Sequence, residues 1–306
     1  MKLLKFCIYI LISLCVIIAQ EKPQLALTFD DGNSKNRLSY DYNKINNMIL
    51  DHLGKHKVKA LLYVCGRNMD NKNGDEVLTS WNNAEHILAN HTYSHWHYHN
   101  EKVSVSDFTN DISKCDSLLK KYPNYIKYFR APYLKRGNTV EKRDGLTEYL
   151  KQNNYKNGYV TIDTQEWFYN HLLSNSIKEN DEQDIKKIKK SFIEHMIDIA
   201  KFYDDLATKM QNRKIKHSIL LHHNLINALY LDDLIVALKN NGWDIINADD
   251  ALKDEIYNRE MSTLPAGESI IWSLAKESGK YEKELKYLVE RRKYEENQLH
   301  KSKAAN

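Results

Sequence analysis

Short apolar runs alternate with longer stretches in which apolar residues recur every three or four positions, from residue 24 to about residue 254. The short runs have the form of strands and the longer period is that of amphipathic helices. Their alternation is the signature of βα units around a mainly parallel sheet. The runs predict strands at 24–29, 58–65, 126–130, 158–163, 217–222 and 243–247, with helices at 40–53, 106–121, 139–152, 182–211 and 231–241. Six strands leave a closed eight-fold barrel undemonstrated. Beyond Asp254 the chain becomes rich in Lys and Glu. One apolar patch there, 270–275, is expected to pack on the preceding domain, and the last fifteen or so residues to be loose.

The first twenty residues have a positive end, an apolar stretch from Phe6 to Ala19 and a small residue near the close. That is the build of a secretory signal peptide, and it is short for a membrane span. The expected organisation is therefore a signal segment at 1–20, a catalytic domain at 21–254 and a charged extension at 255–306. The expected place of action is the periplasm or the outside of the cell, with membrane attachment only if the first segment stays uncleaved. Loss of that segment lowers the net charge from +4 to +2. Nucleic acid is then not an expected partner, because tracking phosphates needs a concentrated basic surface. Cys65 and Cys115 would be the only cysteines left, and one disulfide or two buried thiols fit equally well.

Chemistry-bearing residues gather where strands end. The first strand runs into Asp30–Asp31–Gly32. Adjacent carboxylates at a strand end point in different directions, so one can bind a cation while its neighbour stays free as a base. His91 and His95 stand four apart, the spacing that puts two imidazoles on one face of a helical turn. With Asp31 they form a two-histidine, one-carboxylate set that suits Zn²⁺ and also Fe²⁺ or Co²⁺. Arg130 opens Arg130–Ala131–Pro132–Tyr133 directly after an apolar strand. An arginine there can grip a carboxylate with two prongs, and Pro132 can fix the chain so that a backbone N–H faces an oxyanion. Asp163, Glu166 and Trp167 follow one strand, and His222–His223–Asn224 follows another. A histidine with a carboxylate to raise its pKa is what protonation of an amine leaving group requires. In barrel folds the carboxyl-end rim of the strands is where active sites assemble.

In this order and spacing, TFDDG, HTYSH, RAPY, DTQEW and LLHHN resemble the five motifs of the polysaccharide deacetylases, the NodB-homology domain of carbohydrate esterase family 4. The resemblance covers roughly residues 24–250. It implies a distorted, incomplete (β/α) barrel of about seven strands, TIM-like in plan, and metal-assisted hydrolysis of an N-acetyl group on an amino-sugar glycan. It implies Asp30 as general base, Asp31, His91 and His95 as metal ligands, and Arg130 as the residue that orients Asp30. It further implies the Tyr133 backbone N–H for the oxyanion, His222 as general acid, and Trp167 as a wall of the acetyl pocket.

The sequence departs from the pattern where the family usually has Asp before the tryptophan. Here Glu166 stands, one methylene longer, and Asp163 can share its role of tuning the histidine. His222 and His223 both satisfy Leu-x-His, and His222 is favoured because His223 and Asn224 then fall where the family varies. Two alternatives keep the fold and change the activity: an O-acetyl esterase, and an inactive relative that only binds glycans.

Overall fold

The computed structural model describes residues 21–291 and 293. The signal segment and the loose tail expected from the sequence lie outside these residues. Seven strands are present: β1 (Gln24–Asp31), β2 (Leu61–Val64), β3 (Ile87–Asn90), β4 (Tyr125–Phe129), β5 (Lys156–Asn157), β6 (Lys216–His222) and β7 (Asp244–Ile246). The helices are α1 (Tyr42–His56), α2 (Gly66–Met69), α3 (Lys72–Asn83), α4 (Val105–Leu119), α5 (Val140–Gln152), α6 (Glu166–Lys178), α7 (Glu182–Gln211), α8 (Leu225–Asn240), α9 (Ala248–Ala251) and α10 (Ile270–Ser278). Among the described residues no helix is long and apolar enough to cross a membrane.

All strand pairings are parallel, in the order β5-β4-β3-β2-β1-β6. The first half of β1 also pairs with β7, through Gln24–Asp244 to Ala26–Ile246. The sheet curls into a half-barrel with helices around it, the distorted, incomplete (β/α) barrel that the sequence implies. Parallel strands covered on both faces read as continuous apolar runs, and β1 is buried from Leu25 to Asp30. Helix α1 places Ile45, Ile49 and Leu53 against this core along one stripe, and Asp41 caps its start by accepting from Lys44 N at 2.8 Å.

The structure corrects the sequence reading in several places. β3 was not anticipated, because its four residues sit among polar neighbours too short to show a period; a parallel pair on each side supplies what the local signal lacks. The strand expected at 158–163 is not continuous. Gly158 N donates to Phe129 O of β4 at 2.7 Å, while Ile162 bridges to Ile219 of β6, so this segment crosses from one edge of the sheet to the other and closes the curl. The helix expected at 231–241 begins earlier, at Leu225, capped by the Asn224 side chain. Helices α3 and α6 were also missed.

Residues past 254 are joined to the body. Ala266 exchanges backbone hydrogen bonds with Arg136 and Gly137 at 3.0 and 2.7 Å, and Ile270 N donates to Val160 O at 2.9 Å. The apolar patch expected to pack forms α10, whose Ile270, Ile271, Leu274 and Ala275 belong to the main core. Gly267, at φ +148°, has no room for a side chain, since a Cβ would stand 2.6 Å from Leu134 O.

Two buried histidines make stability pH-dependent. Burial pushes His86 and His195 from 6.5 down to about 4. His86 Nδ1 accepts from Ala60 N at 3.1 Å, so it is held as the neutral ring. The unfolded chain titrates both near 6.5 and therefore binds more protons than the folded state below that pH. The stability they contribute is complete above 6.5 and is lost as pH falls toward 4, at most about 3 kcal/mol per histidine. Urea midpoints should fall steadily across this window, and His86→Asn should flatten the fall. Midpoints that do not change between pH 7 and 4.5 would contradict the account.

Candidate metal and catalytic site

The carboxyl ends of the strands open into a cleft of about 990 Å³. Asp30, Asp31, His91, His95, Tyr133, Asp163, Trp167 and His222 all line it, although they come from five separate segments of the chain. Side chains alternate along a strand, so Thr28 and Asp30 of β1 share a face. Arg130, directly after β4 and 2% exposed, reaches both: Nη1 donates to Asp30 Oδ1 at 2.7 Å and Nη2 to Thr28 Oγ1 at 3.0 Å. Its Nε donates to Gly158 O at 2.8 Å, and the guanidinium lies 4.0 Å from the Tyr63 ring centroid. Every part of the arginine is held, and Asp30 is fixed by one oxygen.

Asp31 leaves the pleat, with φ +78°, and turns toward the histidines. His91 and His95 are not on a helical turn as expected: they sit on a loop after β3, in which Thr92 and His95 have φ of +63° and +56°. Asp111 of α4 holds this loop by accepting from Ser94 N and Ser94 Oγ, both at 2.7 Å. Buried Asn90 holds it from the other end, accepting from Thr92 N at 2.9 Å. Tyr133 and Leu134, at φ +55° and +58°, add to a group of left-handed non-glycine residues around the cleft. Such conformations cost about 1–3 kcal/mol each and persist where the surroundings over-determine them.

One ligand atom each from Asp31, His91 and His95 lies within 4.8 Å of the others. His91 Nδ1 is 2.8 Å from Arg130 O. A carbonyl only accepts, so Nδ1 carries the proton and Nε2 offers a lone pair, the tautomer a metal ligand needs. That lone pair faces Asp31 Oδ1 at 3.7 Å, and His95 Nε2 stands 3.0 Å from the same oxygen. Oδ1 is buried without a hydrogen bond of acceptable geometry. Two imidazoles and an unsatisfied carboxylate oxygen turned to one point fit a divalent cation. Burial lowers His91 to about 4, which keeps it neutral. Burial alone would raise Asp31, but the adjacent His95 and the charges of His95, His222 and His91 hold its carboxyl well below the usual range.

On the far side, His222 Nδ1 donates to Glu166 Oε2 at 2.8 Å. Glu166, at the start of α6, is fully buried, and its other oxygen accepts from Asn224 and Asn227, each at 2.7 Å. The longer side chain thus spans the distance, and the carboxylate on His222 is that of Glu166; Asp163 is buried in the cleft wall nearby. Burial works against a charged His222, but the Glu166 hydrogen bond and the charges of Glu166, Asp31 and Asp30 raise it to about 9. His223 is different. Its Nδ1 accepts from Asn33 N and its Nε2 lies on Asn46 Oδ1, both at 3.1 Å, and burial lowers it to about 4. The supporting residues Asp111 and Asn227 had no sequence signal, since each acts on a partner well separated from it in the chain. Cys65 and Cys115 are buried free thiols.

A parallel half-barrel that collects its ionisable side chains at one mouth is the architecture of NodB-type domains. Residues 18–158, a little under half of the chain, match the family model described as polysaccharide deacetylase. A peptidoglycan-N-acetylglucosamine deacetylase of Bacillus cereus is 29% identical over 163 residues, 51% of this chain and 53% of the relative. A bifunctional xylanase/deacetylase of Pseudobutyrivibrio xylanivorans is 31% identical over 122 residues, 40% of this chain and 18% of the relative. The chain thus spans about half the length of the first relative and less than a fifth of the second. Among solved structures, a mutant of a carbohydrate esterase family 4 pseudoenzyme with restored activity aligns at TM-score 0.52 and 19% identity, over 76% of this chain and 68% of that one. A mutant of the peptidoglycan deacetylase PdaC from Bacillus subtilis aligns at TM-score 0.50 and 21% identity, over 75% and 90%. At these identities the structural matches bear on the fold.

Proposed function

We propose that this chain is a divalent-metal-dependent hydrolase that removes N-acetyl groups from an amino-sugar glycan, with residues 21–254 as the catalytic domain and 255–306 as an extension. The observation that carries the proposal is the convergence of Asp31, His91 and His95 on one point between an Asp30 fixed by Arg130 and a His222 held on Glu166. Zn²⁺ is the cation this donor set suits best, and Fe²⁺ or Co²⁺ can take the same set.

A cation held there supplies Lewis acidity to the acetyl oxygen and acidifies the attacking water. Asp30, one oxygen committed to Arg130, has its second oxygen to take the proton of that water as the new C–O bond forms. Tyr133 N–H makes no hydrogen bond among the described residues and is the donor for the developing oxyanion. His222 keeps Nδ1 on Glu166 and gives the proton on Nε2 to the sugar nitrogen as the C–N bond breaks, releasing free amine and acetate. Trp167, at the start of α6 in the cleft wall, shapes the acetyl pocket. The export-type build of residues 1–20 and the peptidoglycan named for the Bacillus cereus relative support action outside the cytoplasm.

Acetate release from N-acetylated chitooligosaccharides, peptidoglycan fragments and O-acetylated xylan tests the reading. We expect release from an N-acetylated substrate that stops with chelator and returns with Zn²⁺. Release from the ester alone would favour the esterase alternative, and glycan binding without release would favour an inactive relative.

A further inference from the structure

The cleft runs on beyond the catalytic cluster. One wall is α6, which presents Trp167, Asn170, Ser174 and Lys178 at helical spacing, all lining the cleft. At 1.5 Å rise per residue, Trp167 to Lys178 covers about 16 Å of axis, several times the width of one sugar ring. The wall lies outside residues 18–158, the stretch matched by the family model. Also lining the cleft are Lys35 and Arg37, on the loop that follows β1.

The charges in this cleft are matched near the cluster and unmatched beyond it. Arg130 pairs with Asp30, His222 with Glu166, and Lys135 with Glu268. Lys35, Arg37 and Lys178 are exposed, and none has an ion-pair partner among the described residues. The loop carrying two of them is held in place. Asn33 Nδ2 donates to Lys35 O at 2.8 Å, Arg37 and Tyr40 exchange backbone hydrogen bonds at 2.8 and 3.0 Å, and Tyr42 N donates to Asn36 Oδ1 at 3.0 Å. Unpaired cations presented from fixed backbone along a concave surface repel one another and draw in an anion.

We infer that Lys35, Arg37 and Lys178 form a distal subsite for an anionic group carried by the same glycan, on a sugar beyond the one that is deacetylated. The inference rests on the deacetylase reading and names its substrate class: a polyanionic glycan, bearing carboxylate or phosphate, in preference to a neutral one.

The test compares neutral N-acetylglucosamine oligomers, carboxylate-bearing peptidoglycan strands and a phosphate-bearing N-acetylated glycan, each with wild type and with Lys35→Glu, Arg37→Glu and Lys178→Glu. Wild type should favour an anionic substrate in kcat/KM, and the advantage should shrink as salt rises. Each reversal should lower kcat/KM on that substrate about tenfold, mainly through KM, and leave the neutral oligomer unchanged. Which anionic arm responds identifies the group. Equal rates on neutral and anionic glycans, or reversals that affect both alike, would overturn the subsite and leave the deacetylase reading standing. Acetate release from none of them would remove that reading, and equilibrium binding would still decide the subsite: wild type should bind an anionic strand more tightly than the neutral oligomer, and equal binding would refute it.

Discussion

Asp30→Asn should lower turnover about 10²- to 10⁴-fold, the contribution of a positioned general base, while the metal content of the purified protein stays at the wild-type level. The separation follows from the geometry. Asp31, His91 and His95 supply the converging donor atoms, whereas Asp30 is bound to Arg130 at 2.7 Å. Asparagine keeps an acceptor for the guanidinium but has no basic oxygen for the water. It also leaves a buried arginine with neutral partners only, Gly158 O and Thr28 Oγ1, so a fall in melting temperature should accompany the loss. Turnover and metal content are therefore to be measured at a temperature where the variant is fully folded. Wild-type turnover in Asp30→Asn would remove the base from the mechanism.

His222→Ala and His223→Ala should behave in opposite ways although the residues are neighbours. His222 stands on Glu166 and is raised to about 9, so it holds a proton near neutral pH, and its loss should slow turnover about 10²- to 10⁴-fold. His223 has both nitrogens committed to Asn33 and Asn46 and its ring 5.8 Å from that of Trp81. Its loss leaves buried polar partners unsatisfied and should cost about 1–3 kcal/mol of stability, with turnover changed less than tenfold. Urea titration and acetate release on the two variants decide between them. Activity lost in His223→Ala and kept in His222→Ala would exchange the roles.

The sequence alone already showed the alternating periods of a parallel α/β fold and five short segments, TFDDG, HTYSH, RAPY, DTQEW and LLHHN, all but HTYSH at the ends of predicted strands. Both are local signals: an apolar run long enough to cross a core, and residue types placed just beyond it. The same locality explains the misses. β3 is four residues long and exists because β2 and β4 flank it. The segment 158–163 reads as a strand because it is apolar, yet its hydrogen-bond partners lie on two different strands.

The sequence by itself determined the fold class and which residues can carry chemistry, because apolar period and residue type are written position by position. Only the tertiary structure decided what each of those residues is bound to. It put His91 and His95 on a loop held by Asp111, gave Glu166 the reach to His222, and committed both nitrogens of His223 to partners at the other end of the chain. The physical reason is that a hydrogen bond or an ion pair is set by distance in space, and in this half-barrel the atoms that meet at the mouth come from strands scattered from residue 24 to residue 222.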